Sequence, residues 1–330
     1  MFSFVKNRFY FYAIALALFV FSLASPWVVG LKQGIDMTGG IQIEYGIDGV
    51  DLATTVNSLK EQIIPQVKST MSEQDQKVIT DTLVYQISGT NHIVVEAGID
   101  ESAAQKEGKS DLVHIDAAKT AFNNAIKKEL SKITGITVTE TQYRNVGASF
   151  GDYIKQSGYL TLVLAIVAIS LYIQYAFRGS IAGMASWPFA VVTTISLAHD
   201  VIIAFGLYVI TAHFFPEFKI DTFFITAMLT VLGYSINDTI VVMDRIRSNL
   251  QHTKTSKGSL SDLIDKSIWD TMRRSLFTIF TIIIVLVSMF FWGPESIKGF
   301  TLALIFGTIV GGYSSICIAS PLLIDLTGRK

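Results

Sequence analysis

Six apolar stretches, each about 20 residues long and so able to cross a bilayer, alternate with polar segments along the chain. They lie at Phe9–Val29, Ser157–Phe177, Met184–Ile210, Thr222–Met243, Ser275–Trp292 and Phe300–Leu323. The first exceeds the roughly 7 to 15 residue core of a signal peptide, so we expect it to remain as a membrane span. The pattern predicts a first span in residues 1–30, one domain outside the membrane in 31–155, and five further spans in 156–330, with a cytoplasmic loop at about 245–274.

Strand and helix periodicities alternate within residues 31–155. The strand pattern GGIQIEYG is followed by the helical spacing of DLATTVNSLKEQI. Two further strand patterns, TLVYQIS and HIVVEAG, flank GTN, which is a hairpin signal. The amphipathic helix HIDAAKTAFNNAIKKELSK and the strand pattern GITVTETQYRNV complete the segment. This β-α-β-β-α-β order predicts a ferredoxin-like α+β domain.

Composition agrees with a membrane protein that carries a soluble part. Half of the residues (50%) are hydrophobic and 16% are charged, whereas soluble chains carry about 25% charged residues. The net charge of −1 argues against a nucleic-acid-binding surface. The single cysteine, Cys317, excludes disulfides and cysteine-rich metal sites within one chain.

Basic residues in the short connections predict the orientation of the spans. In a six-span chain they fall on one side of the membrane, and the opposite short connections, TAHFFPEFKID and GPESIKG, contain few of them. The residues on the basic side are Lys6, Arg8, Arg178, Arg245, Arg247, Lys254, Lys257, Lys266, Arg273, Arg274, Arg329 and Lys330. We therefore expect a multi-pass protein of the inner membrane, with both termini in the cytoplasm and the 31–155 domain in the periplasm.

An acid lies inside the fourth span. Asn237 and Asp238 interrupt an apolar run, and an acid at such a depth costs on the order of 2.5 to 3.5 kcal/mol. Asp244, beside Arg245, lies close enough to the interface to be a solvated boundary charge. Asp238 is either a polar contact that holds helices together or an acid that carries protons or pairs with a cation, as intramembrane acids often do.

Arg273 and Arg274 open the fifth span from the cytoplasmic side. Because the fourth and fifth spans run in opposite directions, a residue late in one lies level with a residue early in the other. Arg274 is therefore a candidate ion-pair partner of Asp238, reaching it with its long side chain. The alternative for either arginine is ordinary positive-inside flanking.

His199 and Asp200 lie near the middle of the third span. Both can titrate, and both are costly if they face lipid, so they are candidates for a polar relay. A purely structural role is the alternative. No metal or cofactor site is expected; the only candidate ion is a proton, if these acids carry one.

Small residues recur at every fourth position of the sixth span. This pattern predicts a surface that allows close approach of another helix. The residues are Gly299, Ala303, Gly307, Gly311, Ser315 and Ala319.

GASFG, residues 147–151, matches the G-x-S-x-G pattern of serine hydrolases. Ser149 would lie at the outer edge of the membrane and His199 near its midplane, roughly 15 Å apart at 1.5 Å rise per residue, so they cannot form a catalytic site. No HExxH, Walker or EF-hand pattern is present. We therefore expect a protein that is not an enzyme.

Several motifs resemble those of the SecF family, the membrane subunits of the bacterial protein-export accessory complex SecDF. GIDMTGGIQIEY is similar to the family's GIDFTGG signature, with Met37 in place of the usual Phe. NVGASFG resembles its motif before the second span, with Ala148 where Pro is common. SLAHDV, LTVLGYSINDTIVVMDRIRSNL, DTMRRSLFT and FFWGPESIKGFTLALIFGTIVGGYSSICIASPLL resemble segments of its membrane spans. The fourth-span motif matches nearly residue for residue, and only the middle of the 31–155 domain is matched by pattern alone.

The resemblance implies a six-span half of a fold shared with RND transporters, completed by the six spans of SecD. It implies SecYEG and YajC as further partners, unfolded precursor proteins as substrates, and use of the proton-motive force. By position, Asp238 and Arg274 are then tied to proton movement. The glycines that flank the domain are expected to form a hinge around the signature residue Asp36; they are Gly34, Gly39, Gly40, Gly147 and Gly151.

Two alternatives remain at this level. An RND-type exporter of lipids or small solutes would use the same acid, although a larger outside domain and a duplicated chain would be expected of it. A scaffold would use the polar residues only to hold helices together.

Overall fold

The computed structural model describes residues 2–48, 52–87, 89–100, 103, 105–106, 109–110, 112–133, 137–178, 186–252 and 259–327. The chain divides into two compact units. The helical bundle comprises Met1–Lys32, Gly158–Phe218 and Phe223–Lys330, and the sheet domain comprises Gln33–Ser157 and Lys219–Thr222. Lys254, Lys257, Arg329 and Lys330, which contribute to the predicted orientation, lie outside the described residues.

Six helical segments among the described residues are long and apolar enough to cross a membrane. They are α1 (Arg8–Val29), α7 (Ala148–Ala176), α8 (Trp187–Phe214), α9 (Thr222–His252), α10 (Leu260–Trp292), and a last segment, Glu295–Thr327, that contains α11 (Lys298–Ser314) and α12 (Ser320–Thr327). The most apolar 18 residues of each segment differ in burial. In the third, fourth and sixth segments 44% to 61% of these residues are buried, whereas in the first, second and fifth only 6% to 17% are. The third, fourth and sixth segments therefore form the centre of the bundle.

Helices α9 and α10 extend well beyond the predicted fourth and fifth spans, into the predicted loop at 245–274. Polar side chains of the two extensions pair with each other. Arg245 donates to Asp270 at 2.6 Å, and the amide of Asn249 donates to Ser267 at 2.8 Å. The described part of this connection is thus two paired helix ends rather than a loop.

Within the described part of the sheet domain there are four main strands: β1 (Gly40–Asp48), β2 (Ile79–Gln86), β3 (His92–Ile99) and β6 (Thr137–Val146). They form an antiparallel sheet in the order β2-β3-β1-β6. Two-residue strands, β4 (Gln105–Lys106) and β5 (Lys109–Ser110), pair separately.

Helices connect these strands as the sequence pattern predicts. The short α2 (Ile35–Thr38) precedes β1. The connection between β1 and β2 contains α3 (Leu52–Ser58), a π-helical turn (Leu59–Ile63), α4 (Ile64–Thr70) and α5 (Glu73–Val78). The connection between β3 and β6 contains α6 (Leu112–Leu130). The order of elements and the strand order confirm the predicted ferredoxin-like domain beside six membrane-spanning helices.

Alternation along β1 explains the core of the sheet domain. Ile41, Ile43 and Tyr45 are fully buried, since every second side chain points to the same face of a strand. The apolar stripe of α6 covers that face with Ile115, Ala118, Phe122, Ile126 and Leu130, all at most 1% exposed. The domain therefore has its own hydrophobic core.

Candidate functional site in the helical bundle

Asp238 lies on α9 and faces the interior of the bundle, with 7% of its surface exposed. Two serine hydroxyls donate to its carboxylate. Ser275 of α10 donates to Oδ1 at 2.5 Å, and Ser315, directly after α11, donates to Oδ2 at 2.6 Å. Asp238 thus joins three helical segments through two short, charge-assisted hydrogen bonds.

Asp200 lies on α8 and is completely buried. Its Oδ2 accepts hydrogen bonds from Ser235 of α9 at 2.5 Å and from Ser314 of α11 at 2.8 Å. Its Oδ1 lies 2.9 Å from Nδ1 of His199, whose Nε2 lies 3.1 Å from the hydroxyl of Tyr313. The predicted pair His199 and Asp200 is therefore brought together and connected to two further helices.

The two acids belong to one polar cluster inside an apolar bundle. Ser314 and Ser315 are neighbours in the chain, and each binds a different acid. Ser235 and Asp238 lie three residues apart on α9, so one helix face carries a donor to the first acid and the second acid itself. A hydroxyl can both donate and accept, so this cluster can hold either carboxylate charged or, after rotation of the hydroxyls, protonated.

The helix of the sixth segment changes its winding beside Asp238. Residues 315–319 form a π-helical turn between α11 and α12, and Ser320 donates to the carbonyl of Ser315 at 2.7 Å. Such turns occur frequently at functional sites. Here the turn begins at Ser315, which binds Asp238. Because a π-helical turn has more residues than an α-helical turn, residues after it no longer continue the face formed by every fourth residue of α11.

The small residues of α11 allow close packing against α9. A Cβ built on Gly307 collides with the side chain of Val231, and one built on Gly311 lies 3.0 Å from Cβ of Ser235. This part of the ridge therefore packs inside the bundle and allows α11 to lie close to α9, the helix that carries Asp238.

The structure does not bring Arg274 to Asp238. Ser275, the next residue of α10, faces the acid, and successive helical residues point about 100° apart, so Arg274 is turned to the surface of the bundle. Neither Arg274 nor Arg273 forms an ion pair within the described residues, and Arg273 lies over the ring of Phe277. The predicted ion pair is thus corrected to a serine-bound carboxylate, and a role of Arg274 in proton movement stays a prediction.

Asn237, the neighbour of Asp238, is also exposed on the surface of the bundle. It lies on a face of α9 that carries other polar or small exposed residues, namely Thr226, Thr230 and Gly233. Asn237 and Asp238 therefore point in different directions, one outward and one inward.

Three of the glycines predicted to form a hinge, Gly39, Gly40 and Gly151, lie at close backbone approaches in the sheet domain. Gly39 has φ +74°, and a Cβ built on it would lie 2.5 Å from Cα of Ala148. A Cβ on Gly151 would lie 2.7 Å from the carbonyl oxygen of Met37. Asp36, in α2, accepts a hydrogen bond from Arg144 at 3.0 Å. This arrangement is a packed joint, and the hinge movement stays a prediction.

Sequence reasoning missed the serines that bind the two acids. Ser235, Ser275 and Ser314 are each at most 1% exposed, and for Ser315 the sequence pattern predicts only a packing role. Their positions beside or within the motifs GYSIND, RRS and GGYSS were a usable signal, because a serine on the buried face of a membrane helix needs a partner. Among the described residues, no group of three or more His, Cys, Asp or Glu is placed to hold a metal ion.

Comparisons with known proteins relate the chain to one family. The family model described as protein export membrane protein SecD/SecF, C-terminal, matches residues 125–329. Protein translocase subunit SecF of Vibrio alginolyticus is 30% identical over 98% of this chain and 89% of its own length. The SecF of Desulfurispirillum indicum is 32% identical over 97% of this chain and 90% of its own length.

Solved structures show the same fold. The crystal structure of SecDF, a translocon-associated membrane protein from Thermus thermophilus, aligns with a TM-score of 0.72 and 23% identity over 100% of this chain. SecDF in its super-membrane-facing form aligns with a TM-score of 0.63 and 24% identity. This chain spans 39% of each of those chains. The family model and the SecF relatives show that the chain belongs to the SecF family.

Proposed function

We propose that the chain is an accessory subunit of the Sec protein-export machinery that acts with SecD and uses the proton-motive force to promote translocation. The observation that carries the proposal is the pair of buried carboxylates, Asp200 and Asp238, inside membrane-spanning helices. The role is that of a coupling subunit rather than of an enzyme.

The environment of Asp238 supports a proton-binding role. A mid-membrane acid costs on the order of 2.5 to 3.5 kcal/mol, and a hydrogen bond to a charged group returns about 1.5 to 3 kcal/mol. Two such bonds offset a large part of the cost, so the cluster holds this carboxyl group in place inside the bundle. Protonation removes the charge that orders Ser275 and Ser315, and the packing of α10 and of the π-helical turn against α9 then changes.

The driving force is sufficient for such a change. A proton that moves inward releases about 2.3 kcal/mol per 100 mV from the electrical term alone. This matches the scale of one or two hydrogen bonds in the cluster. Repacking between two discrete arrangements, rather than gradual deformation, is how packed helices respond to a change of this size.

The exposed polar face of α9 supports a membrane partner. Asn237 is costly in contact with lipid, and Arg274 and Thr281 are exposed on α10. SecD, whose six spans the family resemblance implies, is the partner that would cover these residues. Arg274 then lies at the interface with SecD. There it can approach a carboxylate of SecD, or a carboxylate of this chain after the helices rearrange.

The same proposal includes the orientation and the remaining partners. Lys6, Arg8, Arg178, Arg245 and Arg247 belong to the predicted cytoplasmic side, and the sheet domain is then periplasmic. There it would meet precursor chains that emerge from SecYEG, with YajC as a further neighbour in the membrane.

Precursor translocation into inverted membrane vesicles tests the proposal. Vesicles with and without this chain are compared, each with and without a proton gradient, and with SecD present throughout. We expect the gradient to increase translocation only where the chain is present. Equal stimulation in its absence would contradict the proposal. Gradient-dependent efflux of lipid or small solutes without any effect on precursor would favour the exporter alternative.

A further inference from the structure

The segment Lys219–Thr222, which ends at the first residue of α9, belongs to the sheet domain, although the rest of α9 belongs to the bundle. We call these residues the strap. The strap pairs with the segment that follows α1: Gln33 and Ile220 form a parallel bridge, and the amide of Gly34 donates to the carbonyl of Ile220 at 2.9 Å. The chain leaving the first span and the chain entering the fourth span are thus joined to each other.

A buried ion pair fixes the strap to the sheet. Nζ of Lys219 bonds to Oε2 of Glu96 on β3, and both residues are 8% exposed. The ammonium also lies 4.7 Å from the ring centroid of Tyr85 on β2. The other carboxylate oxygen of Glu96 accepts from Tyr85 at 2.8 Å and from Gln42 at 3.2 Å.

The network continues across the sheet to the segment after α1. Arg144 of β6 donates to Gln42 at 3.2 Å and to Asp36 at 3.0 Å. Side chains from all four main strands therefore hold the two joined segments on this face. Close fit adds to the hydrogen bonds, since a Cβ built on Gly34 would lie 3.1 Å from Cβ of Asp221.

A buried ion pair is a poor way to gain stability alone, because desolvating two charges offsets most of their attraction. Its best-attested use is to specify one register, which an apolar contact would leave free to slide. Here the register concerns the start of a specific helix. Thr222 is the first residue of α9, and Asp238 follows 16 residues later (238 − 222), about 24 Å along a continuous helix at 1.5 Å rise per residue.

We propose that Lys219 is a positioning residue that couples the helix carrying Asp238 to the sheet domain, with Glu96 as its anchor. The inference rests on the proposed function, since it names where the proton-driven repacking of α9 is passed on. Only Ile220 and Asp221 separate Lys219 from the first residue of α9, so we expect a displacement or rotation of that helix to act on Glu96 of β3 through Lys219.

The test uses the full chain with SecD and the variants Lys219→Met and Lys219→Arg. The matched control is Lys119→Met: Lys119 is also buried, at 5% exposed, and bonds to Asn145 at 2.8 Å, but it lies on α6. A double variant, Lys219→Met with Glu96→Gln, removes the pair without leaving a buried unpaired charge. It keeps the test valid if the single variant folds poorly.

Hydrogen–deuterium exchange and precursor translocation are measured on each variant. In Lys219→Met and the double variant we expect exchange of peptides covering 33–39 and 219–222 to rise on the order of tenfold, as local opening becomes easier. Gradient-stimulated translocation should be lost while SecD still co-purifies. Lys119→Met should retain stimulation, and Lys219→Arg, which keeps the charge, should restore most of it.

Unchanged exchange in the strap, or stimulation in Lys219→Met equal to that in Lys119→Met, would overturn the inference. A wild-type chain that shows no gradient stimulation contradicts the proposed function instead. In that case the exchange measurement alone decides whether Lys219 clamps the strap.

Discussion

Substituting Gly311 by leucine should destabilise the helical bundle, because α11 has no room for a side chain at that position. A Cβ at residue 311 lies 3.0 Å from Cβ and 3.3 Å from Oγ of Ser235, which is already tighter than ordinary contact. Overpacking of this kind costs about 1 to 3 kcal/mol. Ser235 also donates to Asp200, so a displacement of Ser235 would weaken that hydrogen bond and add to the steric cost.

Gly233→Leu is a matched control for this substitution. Gly233 lies on α9, and a Cβ built there meets nothing within 4 Å. Both substitutions replace a helical glycine and gain the same intrinsic helix propensity, about 0.8 to 1.0 kcal/mol, so their difference isolates packing. Thermal unfolding of each chain in mild detergent without SecD should give the lower midpoint for Gly311→Leu, with Gly311→Ala between it and wild type. A Gly311→Leu chain as stable as Gly233→Leu would refute the packing argument.

Further predictions concern the sheet domain and the buried acids. A soluble fragment covering 39–147 should fold alone, because it contains its own core, and dispersed NMR shifts would support this whereas shifts typical of disorder would contradict it. Burial raises the pKa of Tyr45 above 10.0, so its stabilising contribution is full below pH 10 and is lost as the pH rises further. The free energy of unfolding of the fragment, measured with denaturant, should therefore fall more steeply above pH 10 than that of its Tyr45→Phe variant. Equal slopes for the two fragments would contradict this role of Tyr45. Asp200→Leu should lower the thermal midpoint of the full chain more than Asp200→Asn, because Asn keeps an acceptor for Ser235 and Ser314, and the reverse order would disprove the cluster's packing role.

The overall architecture could be predicted from the pattern of apolar and polar positions, because that pattern depends on whether each position faces lipid, water or the protein interior. The spans follow from apolar length, and the strands of the domain follow from alternation such as that of Ile41, Ile43 and Tyr45. The ends of α9 and α10 were predicted too short, because polar residues such as Asn249 and Ser267 stabilise a helix pair through contacts that periodicity does not reveal.

The sequence was sufficient to predict the two buried acids of the site, but not the side chains that bind them. Asp200 and Asp238 are conspicuous because charge is rare in apolar segments, whereas serine is common there and identifies no partner by itself. The assignment of Arg274 to Asp238 used depth along the helices alone. Rotation about the helix axis, which places Ser275 inward, depends on packing against α9 and α11 and could not be read from depth. The strap was missed because the partner of Lys219 lies 123 residues away on β3.

The proton role of Asp238 is tested most directly by comparing Asp238→Asn with Asp244→Asn in the vesicle translocation assay. Asp244 lies on the same helix but is exposed, so its variant removes an equal charge without touching the buried cluster. With SecD association equal in both, Asp238→Asn should abolish the stimulation by the proton gradient, and Asp244→Asn should retain it. Full gradient-dependent translocation in Asp238→Asn would contradict the proposed coupling.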